Sequence, residues 1–367
     1  MVNQSLSTTD GLIVIMYKFS ISSKFSDYFV QLHDGHLELS AFTPRFWIID
    51  NALKDLASPF ARAICLEASE ENKNLDTCER VLSYLAEEGC KRQDSIGVIG
   101  GGFTQDIGTL VSSLYMRGVE WIYFPSTLMS MMDSCIGGKS SINIRSKKNV
   151  LGNFFPPKEI HIYPKFVDTL SKSDIASGLL EGIKICFARD PSSMDSFGQE
   201  MSNLLNGVSN TELGYQNLIS QSLKAKKWFL EIDEFDTKER QLLNFGHTFG
   251  HALESSMGYR IPHGIAVGLG MLAAINFAQA HHYKDVVSLQ QLIGKIIEFS
   301  EYSVTKESFP DRESFLGAFS SDKKHTVEKY FLILPTEKGL AKSGFAKSQV
   351  TLERVYDSVL EVINSLG

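Results

Sequence analysis

The chain has 367 residues, of which 43% are hydrophobic and 22% charged, and its net charge is −7. This composition is typical of a globular protein of about two domains. The acidic balance, without a basic stripe, argues against a nucleic-acid partner. No uninterrupted apolar run reaches the roughly 18 residues that a membrane-spanning helix needs. The apolar stretch at residues 11–16 lacks the basic flank of a signal peptide, so we interpret it as a buried strand.

The cysteines are odd in number, and no two are close in sequence. This spacing predicts reduced thiols and a cytoplasmic location, because secreted disulfide frameworks use paired cysteines. The five are Cys65, Cys78, Cys90, Cys135 and Cys186.

The first half alternates short apolar runs with helix-like stretches. The runs are at residues 46–50, 96–99 and 121–124, and the helical stretches are at 75–88 and 106–117. Alternation of this kind predicts an α/β layer built on a parallel sheet.

The second half has helical periodicity instead. Its helical segments are at residues 212–232, 238–256 and 263–280, with one strand-like run at 330–334. We therefore predict an α/β nucleotide-binding domain at residues 1–167. A mostly α-helical domain that binds metal and substrate follows at residues 168–367.

The glycine triplet Gly100-Gly101-Gly102 follows an apolar run and precedes a helical stretch. Glycines at such a turn let backbone N–H groups approach a phosphate near a helix N-terminus. Asp50 follows another strand and could bind ribose hydroxyls. A tight turn without a ligand, and an N-cap aspartate, are the alternatives.

Three histidines form the second motif. His247 and His251 are four residues apart and share a helical face, and His263 follows twelve residues later. With an acidic residue such as Glu181 they could form a zinc site. A packed histidine cluster without metal is the alternative.

Cationic and amide residues form a third group. Lys139 follows two glycines, Lys148 precedes Asn149, and Lys184 lies one helical turn after Glu181. Each lysine taken alone is more typical of a solvated surface charge. The group indicates an anion-binding site only because it occurs together with the other two motifs.

Several long segments together resemble the dehydroquinate synthases of the sugar phosphate cyclase superfamily. The segments, in chain order, are GGGFTQDIGTLVSSLYMRG (100–118), PSTLMSMMDSCIGGKSSIN (125–143), KKNVLGNFFPP (147–157), SGLLEGIK (177–184), DEFDTKERQLLNFGHTFGHALE (233–254), PHG (262–264) and DKK (322–324). The similarity runs from about residue 50 to about residue 335.

The resemblance implies a role for each matching residue. Glu181, His247 and His263 would bind Zn²⁺ or Co²⁺, whereas His251 would face the substrate phosphate. Residues implied for NAD are Asp50, Glu70, Lys73, Gly101, Gly102, Asp106, Ser126, Thr127, Asp133, Lys148 and Thr169. Those implied for the phosphate are Lys139, Asn149, Asn244, His251, Lys324 and, from a dimer partner, Arg117. Lys226 and Arg240 would bind a carboxylate. Lys184 would assist at the reacting carbon, and Asp236 takes the place of one of the family's proton-transfer groups.

The resemblance also implies a reaction, that of a carbon–oxygen lyase. NAD transiently oxidises a ring hydroxyl, phosphate leaves by β-elimination, the ketone is reduced again, and an aldol closure forms the carbocycle. The substrate would be 3-deoxy-arabino-heptulosonate 7-phosphate and the product 3-dehydroquinate, in the shikimate pathway of aromatic amino acid biosynthesis. A homodimer without nucleic-acid or membrane partners is implied.

The chain departs from the family pattern at several positions. Asp236 stands where the family has glutamate, and Lys238 where it has glycine. Ser141, Ile144 and Arg145 replace a glycine, a histidine and a proline. These departures leave open a related cyclase that uses another substrate, such as sedoheptulose 7-phosphate. A catalytically inactive NAD-binding regulator and a simple alcohol dehydrogenase are further alternatives, but neither needs the whole set of metal and carboxylate-binding residues.

Overall fold

The computed structural model describes residues 15–57, 62–145, 147–207, 211–303 and 309–366. They form two compact units, with the division between Leu170 and Ser171. The predicted boundary lay after residue 167. Of the apolar stretch at residues 11–16, the first four residues lie outside the described part, and the first strand begins at Ile15.

The N-terminal unit contains a seven-stranded sheet in the order β1-β2-β9-β6-β5-β3-β4. β1 and β2 pair antiparallel, and all other neighbours are parallel. A separate hairpin, β7–β8, is antiparallel. The strands are β1 (Ile15–Ile21), β2 (Tyr28–His33), β3 (Phe46–Asp50), β4 (Ala63–Leu66), β5 (Ser95–Gly100), β6 (Glu120–Pro125), β7 (Ile142–Ile144), β8 (Lys147–Leu151) and β9 (Glu159–Ile162).

The central strands are buried on both faces, as parallel strands usually are. Trp47, Ile49, Ile99 and Phe124 pack together in one cluster of the core. Because β3, β5 and β6 are parallel neighbours, their carboxyl ends meet at one edge of the sheet. That edge is where open α/β sheets usually bind ligands.

Two helices belong to this unit, α1 (Leu75–Glu87) and α2 (Gly102–Leu114). α2 begins four residues before the predicted position, because Gly101 is its N-cap and the glycine loop leads directly into the first turn. A 3₁₀ turn, Tyr115–Arg117, follows α2.

The C-terminal unit is largely helical, as predicted. Its helices are α3 (Lys172–Arg189), α4 (Met194–Leu205), α5 (Thr211–Ile232), α6 (His247–Ser256), α7 (His263–Ala278), α8 (Lys284–Phe299), α9 (Arg312–Ser320) and α10 (Gln349–Leu366). Among the described residues, no helix combines the length and the apolar character needed to cross a membrane.

The prediction of one helix at residues 238–256 was wrong. A 3₁₀ turn, Glu239–Asn244, is followed by a break, and α6 begins only at His247. The break falls at Gly246, whose φ of +77° is in the left-handed region that favours glycine. His247 consequently lies at the start of a helix and not in the middle of one.

The prediction of a single strand in the second half was also wrong. The run at residues 330–334 belongs to β10 (Lys329–Thr336), which pairs antiparallel with β11 (Gly339–Ala346). No apolar run marks β11, because none of its side chains is fully buried.

α3 and α7 form the centre of the unit. Every residue from Gly264 to Ile275 is buried, which is typical of a helix with neighbours on all sides. A Cβ atom at Gly264 would lie 2.3 Å from the Cα of Ser177 on α3. The absence of a side chain at Gly264 therefore allows the backbones to approach closely where α7 begins.

Candidate active site

Three side chains of the C-terminal unit converge at the close contact between α3 and α7. Glu181 is 1% exposed, and its Oε1 lies 3.8 Å from Nε2 of His247 and 3.6 Å from Nε2 of His263. The two histidines are the first residues of α6 and α7. The three ligand atoms all lie within 4.8 Å of one another.

This donor set fits a divalent transition metal. One carboxylate and two imidazoles are common zinc ligands, and ligand atoms around a tetrahedral ion at about 2.1 Å lie roughly 3.4 Å apart. The measured separations of 3.6 and 3.8 Å are close to that value. A shift of a few tenths of an ångström would bring Oε1 of Glu181 and each histidine nitrogen to the separation of two ligands on one ion.

Both histidines have a partner for the ring nitrogen that faces away from the cluster. Nδ1 of His247 lies 3.2 Å from the carbonyl oxygen of Phe245, and Nδ1 of His263 lies 3.0 Å from Oε1 of Glu254. These acceptors favour the tautomer with hydrogen on Nδ1, which leaves the Nε2 lone pair directed at the cluster. Metal-binding histidines are usually oriented in this way.

The pKa shifts of the two rings differ in direction. Burial lowers the pKa of His247 well below its usual value, and the positive charge of Lys184 lowers it further. Burial acts in the same direction on His263, but the hydrogen bond and charge of Glu254, with the charge of Glu181, outweigh it and raise the pKa. The neutral form that His247 favours is the form that binds metal.

Lys184 lies beside the cluster as the sequence predicted. Its ammonium donates a hydrogen bond to Oε2 of Glu181, and both side chains are almost completely buried. The carboxylate thus has one oxygen turned to the lysine and the other to the histidines. The ammonium group of Lys184 is therefore close to any metal ion or substrate that binds at Glu181.

His251 lies one turn after His247 on α6 and outside the first cluster. It belongs to a second group of possible ligands, with Glu254 and His263. Burial lowers the pKa of His251 to about 4, and the positive charge of Lys324 contributes to this shift. Lys324 itself pairs with Asp322 at 2.6 Å. His251 therefore lies within the electrostatic influence of Lys324.

A loop after α5 carries the predicted carboxylate-binding arginine. Arg240 is 4% exposed, and its guanidinium donates to the carbonyl oxygen of Glu234. The carboxylate of Asp233 accepts backbone N–H bonds from Thr237, Lys238 and Arg240 at 2.7–3.1 Å. Burial acts to raise the pKa of Asp233, but these hydrogen bonds outweigh it and lower the pKa. Asp233 therefore fixes the loop that presents Arg240.

Three further predicted residues lie on or near this loop. Lys226 is buried on α5, with 5% of its surface exposed. Asn244 is half-buried and donates to the carbonyl oxygen of Gln241. Asp236, the shortened acid, has a left-handed φ of +59°.

In the N-terminal unit, the glycine loop lies at the carboxyl edge of the sheet. Gly101 caps α2, and Gly102 has no atom within 4 Å of the place where its Cβ would lie. Asp50 ends the neighbouring strand β3 and accepts the N–H of Ala52. Burial raises the pKa of Asp50, and the negative charge of Glu67 acts in the same direction. The hydrogen bond from Ala52 opposes this shift without cancelling it. An open loop beside a carboxylate is the arrangement expected of a dinucleotide site.

Four residues predicted to bind NAD or phosphate form one polar network in this unit. Lys73 pairs with Asp106 at 2.5 Å and also donates to the amide oxygen of Asn149 at 3.0 Å. Glu70 accepts from the amide of Asn143 at 2.7 Å. The network is local to this unit and joins residues that are up to 79 positions apart in the sequence.

The remaining predicted residues are spread over the same unit. Ser126 and Thr127 follow β6, and Asp133 lies in a π-helical turn, Ser130–Ser134. Lys148 pairs with Glu70 at 3.2 Å, whereas Lys139 and Thr169 are exposed. Arg117 is exposed and has a left-handed φ of +63°. Within the described part of the chain, neither Arg117 nor Thr169 forms a hydrogen bond or an ion pair with the polar network.

Four residues that contact predicted site residues were not predicted themselves: Glu254, Asp322, Asp233 and Asn143. Glu254 had a usable signal, since it lies seven residues after His247 and three after His251 on one helical face. Asn143 had none, because its amide donates to Glu70, which lies 73 positions earlier in the chain.

Comparison with known proteins identifies sequence relatives along most of the chain. Residues 63–177 match the family model of the 3-dehydroquinate synthase N-terminal domain, and residues 178–325 match that of the C-terminal domain. A 3-dehydroquinate synthase of Campylobacter jejuni is 30% identical, and the match covers 90% of this chain and 97% of that one. One from Dictyoglomus thermophilum is 33% identical, over 85% and 86% of the two chains.

Solved structures share the fold at lower identity. One is 2-epi-5-epi-valiolone synthase from Streptomyces hygroscopicus with NAD⁺ and Zn²⁺ bound, with a TM-score of 0.77 and 21% identity over 94% of this chain and 99% of that one. Another is 2-deoxy-scyllo-inosose synthase complexed with carbaglucose-6-phosphate, NAD⁺ and Co²⁺, with a TM-score of 0.77 and 19% identity over the same shares.

Proposed function

Because the chain belongs to the 3-dehydroquinate synthase family, we propose that it converts 3-deoxy-arabino-heptulosonate 7-phosphate to 3-dehydroquinate and phosphate. The observation that carries the proposal is the buried cluster of Glu181, His247 and His263 with Lys184 beside it. An enzyme of this family needs that cluster, whereas a regulator that only binds NAD does not.

The proposed cofactors are NAD and a divalent metal, Zn²⁺ or Co²⁺. The metal is assigned to Glu181, His247 and His263 on the chemistry and spacing of these donors. NAD is assigned to the carboxyl edge of the N-terminal sheet, at the glycine loop and Asp50. The further NAD contacts are proposed to be Glu70, Lys73, Asp106, Ser126, Thr127, Asp133, Lys148 and Thr169.

When bound, NAD supplies reversible oxidation of a ring hydroxyl, and the metal supplies a Lewis acid for the oxygens beside it. The residues of the chain then have to manage protons and charge. Lys184, held against Glu181, would stabilise negative charge near the reacting carbon. Asp236 would take part in proton transfer, and its carboxylate is one methylene shorter than the glutamate usual in the family.

The proposed phosphate contacts of the C-terminal unit are Asn244, His251 and Lys324. Lys324 and His251 lie close enough for the lysine charge to lower the pKa of the histidine, so an anion bound there would meet two donors. Stabilising the departing phosphate lowers the barrier to β-elimination. From the N-terminal unit, Lys139 and Asn149 are proposed to contact phosphate, and Arg117 to do so from a dimer partner.

The choice of substrate rests on Lys226 and Arg240. Both cations are about 95% buried in the same unit as the proposed metal site. Cationic side chains bind carboxylates, and an arginine can do so with two parallel hydrogen bonds. The alternative is a cyclase that acts on sedoheptulose 7-phosphate. That sugar carries a hydroxymethyl group in place of the carboxylate. Asp236 and the altered segment at residues 141–145, as departures from the family pattern, leave this alternative open.

The deciding experiment measures phosphate release from a panel of six- and seven-carbon sugar phosphates, with NAD and Zn²⁺ or Co²⁺ added. We expect turnover of the carboxylated heptulosonate phosphate that a chelator abolishes and that Zn²⁺ or Co²⁺ restores. NADH should not accumulate during turnover, since the same cofactor molecule is oxidised and reduced in each cycle. Accumulation of one NADH for each phosphate released would contradict the redox-neutral scheme.

Three further properties of the protein stay predictions. They are a place in the shikimate pathway, a cytoplasmic location and a homodimeric assembly. The pathway and the homodimer follow from the family resemblance, and the cytoplasmic location follows from the spacing of the cysteines.

A further inference from the structure

The hydroxyl of Ser141 takes part in a closed ring of hydrogen bonds in the N-terminal unit. Ser141 donates its hydroxyl to Oδ1 of Asn149 at 2.9 Å and its backbone N–H to Oδ1 of Asp106 at 3.0 Å. Lys73 completes the ring, with Nζ 2.5 Å from Oδ2 of Asp106 and 3.0 Å from Oδ1 of Asn149. Four side chains therefore hold one another in place.

The ring fixes which way the amide of Asn149 faces. An ammonium group has donors only, so the Asn149 atom that faces Lys73 must be the amide oxygen. The oxygen therefore accepts two hydrogen bonds, from Lys73 and Ser141. Among the residues that the structure describes, Nδ2 of Asn149 makes no hydrogen bond to the protein. Its two N–H groups are left for an acceptor from outside.

The backbone of Asn149 is fixed as well. Its φ of +52° is left-handed, a conformation that asparagine tolerates better than most residues. Its N–H donates to Oδ1 of Asn143 at 2.9 Å, and the amide of Asn143 is tied in turn to Glu70. With backbone and oxygen both held, the direction of the NH₂ group is determined by the protein before any ligand arrives.

We propose that Ser141 is a positioning residue that turns the Asn149 amide so that its NH₂ group meets the phosphate of the substrate. An anion needs donors, and the Ser141 hydroxyl adds a second hydrogen bond to the one from Lys73, so that the amide oxygen is held and the NH₂ group is left to meet an anion. The proposal rests on the function proposed above, and deepens it. The family has glycine at this position, so the hydroxyl is a feature of this chain.

The test is a double-mutant cycle on the protein loaded with NAD and Zn²⁺. Ser141→Ala removes the hydroxyl, and Asn149→Gly removes the amide while allowing the left-handed backbone. The readouts are the Kd of inorganic phosphate by calorimetry, the Kd of NAD by fluorescence, and KM and kcat for the heptulosonate phosphate.

We expect Ser141→Ala to weaken phosphate binding and to raise KM by about fivefold, the factor that one ordinary hydrogen bond provides. The Kd of NAD should change by less than about twofold, because the Lys73–Asp106 pair remains. In the Asn149→Gly background, Ser141→Ala should have no further effect on phosphate binding. Ser141→Thr keeps a hydroxyl and should restore most of the affinity. Ser26→Ala, which removes an exposed hydroxyl of the same unit, is the matched control.

An equal loss of phosphate affinity in both backgrounds would show that Ser141 does not act through Asn149, and the inference would be wrong while the proposed function stood. An unchanged Kd of phosphate in Ser141→Ala would have the same meaning. If the unmodified protein neither binds phosphate nor turns over either seven-carbon sugar phosphate, the proposed function fails and this inference fails with it.

Discussion

Oε1 of Glu254 lies 3.0 Å from Nδ1 of His263, on the side of the ring opposite Glu181. The ring of His263 is therefore held between two carboxylates, and only one of them belongs to the proposed metal site. A carboxylate in this position fixes the orientation and the tautomer of a ligand histidine and makes its free nitrogen more basic.

We expect Glu254→Gln to weaken metal binding by roughly 10- to 100-fold, the usual effect of losing such a partner. Affinity would be measured by competition with a chromophoric chelator, which needs no turnover. Glu298→Gln, at an exposed position on α8, is the matched control. An affinity equal to that of the unmodified protein would mean that Glu254 does not orient His263.

His251→Ala separates the two roles considered for this histidine. If His251 serves the phosphate, the variant should keep its metal and lose roughly 10²- to 10⁴-fold in the rate of phosphate release, the range for a lost acid–base group. His247→Ala should instead lose the metal. Metal content by elemental analysis and single-turnover phosphate release give the two readouts. A His251→Ala protein without metal would identify His251 as a ligand.

The discrimination between substrates should depend on Arg240. For the unmodified protein we expect kcat/KM to favour the carboxylated heptulosonate phosphate over sedoheptulose 7-phosphate by at least about 10³-fold, which corresponds to two strong charge-assisted contacts. Arg240→Leu should reduce this preference, chiefly by slowing the carboxylated substrate. Arg189→Leu, on α3 near Trp228, is a control for loss of an arginine. Equal or faster turnover of sedoheptulose 7-phosphate by the unmodified protein would favour the alternative cyclase.

A buried histidine pair should make the protein less stable in acid. Nε2 of His33 lies 2.9 Å from Nδ1 of His161, and His161 in turn contacts Glu159. Burial, and then the charge of His161, lower the pKa of His33 to about 3. As the pH falls below about 6.5 the unfolded chain binds this proton and the folded one does not, so stability is lost progressively towards pH 3.

His33→Phe removes the titrating group and keeps a ring against Tyr163. Its free energy of unfolding should be lower at neutral pH, because a hydrogen bond is lost, but should depend less on pH between about 6.5 and 4. Urea unfolding followed by tryptophan fluorescence would measure both, with His36→Phe at the exposed position as control. An equally steep dependence on pH would show that another group causes the acid sensitivity.

The sequence predicted the parts of the fold whose signals are local. Residues 46–50 were recognised as a strand from an uninterrupted apolar run, and the observed β3 has the same bounds. The glycine triplet lies at the strand-to-helix turn where it was expected. The break at Gly246 was missed, because the helical pattern assigned to residues 238–256 spans it and a left-handed φ leaves no mark in a hydrophobic pattern.

The candidate site was predictable to a similar extent. The spacing of His247, His251 and His263 indicated a metal site. It could not show which of the three bind the metal, or that His251 lies outside the first cluster. That distinction depends on where Glu181 lies, and Glu181 reaches the cluster only because α3 and α7 approach closely at Gly264. The Ser141 ring was not predictable, since its members come from four separate segments of the chain.

The proposed metal ligands come from three different helices, with Glu181 inside α3 and the two histidines at the first residues of α6 and α7. An ion held by all three would bind the folded chain and not the unfolded one. Each tenfold rise in its free concentration above Kd would then add about 1.4 kcal/mol to the free energy of unfolding. The supply of metal would therefore set the lifetime of the protein as well as its activity, and chains made under metal scarcity would be the first to be degraded.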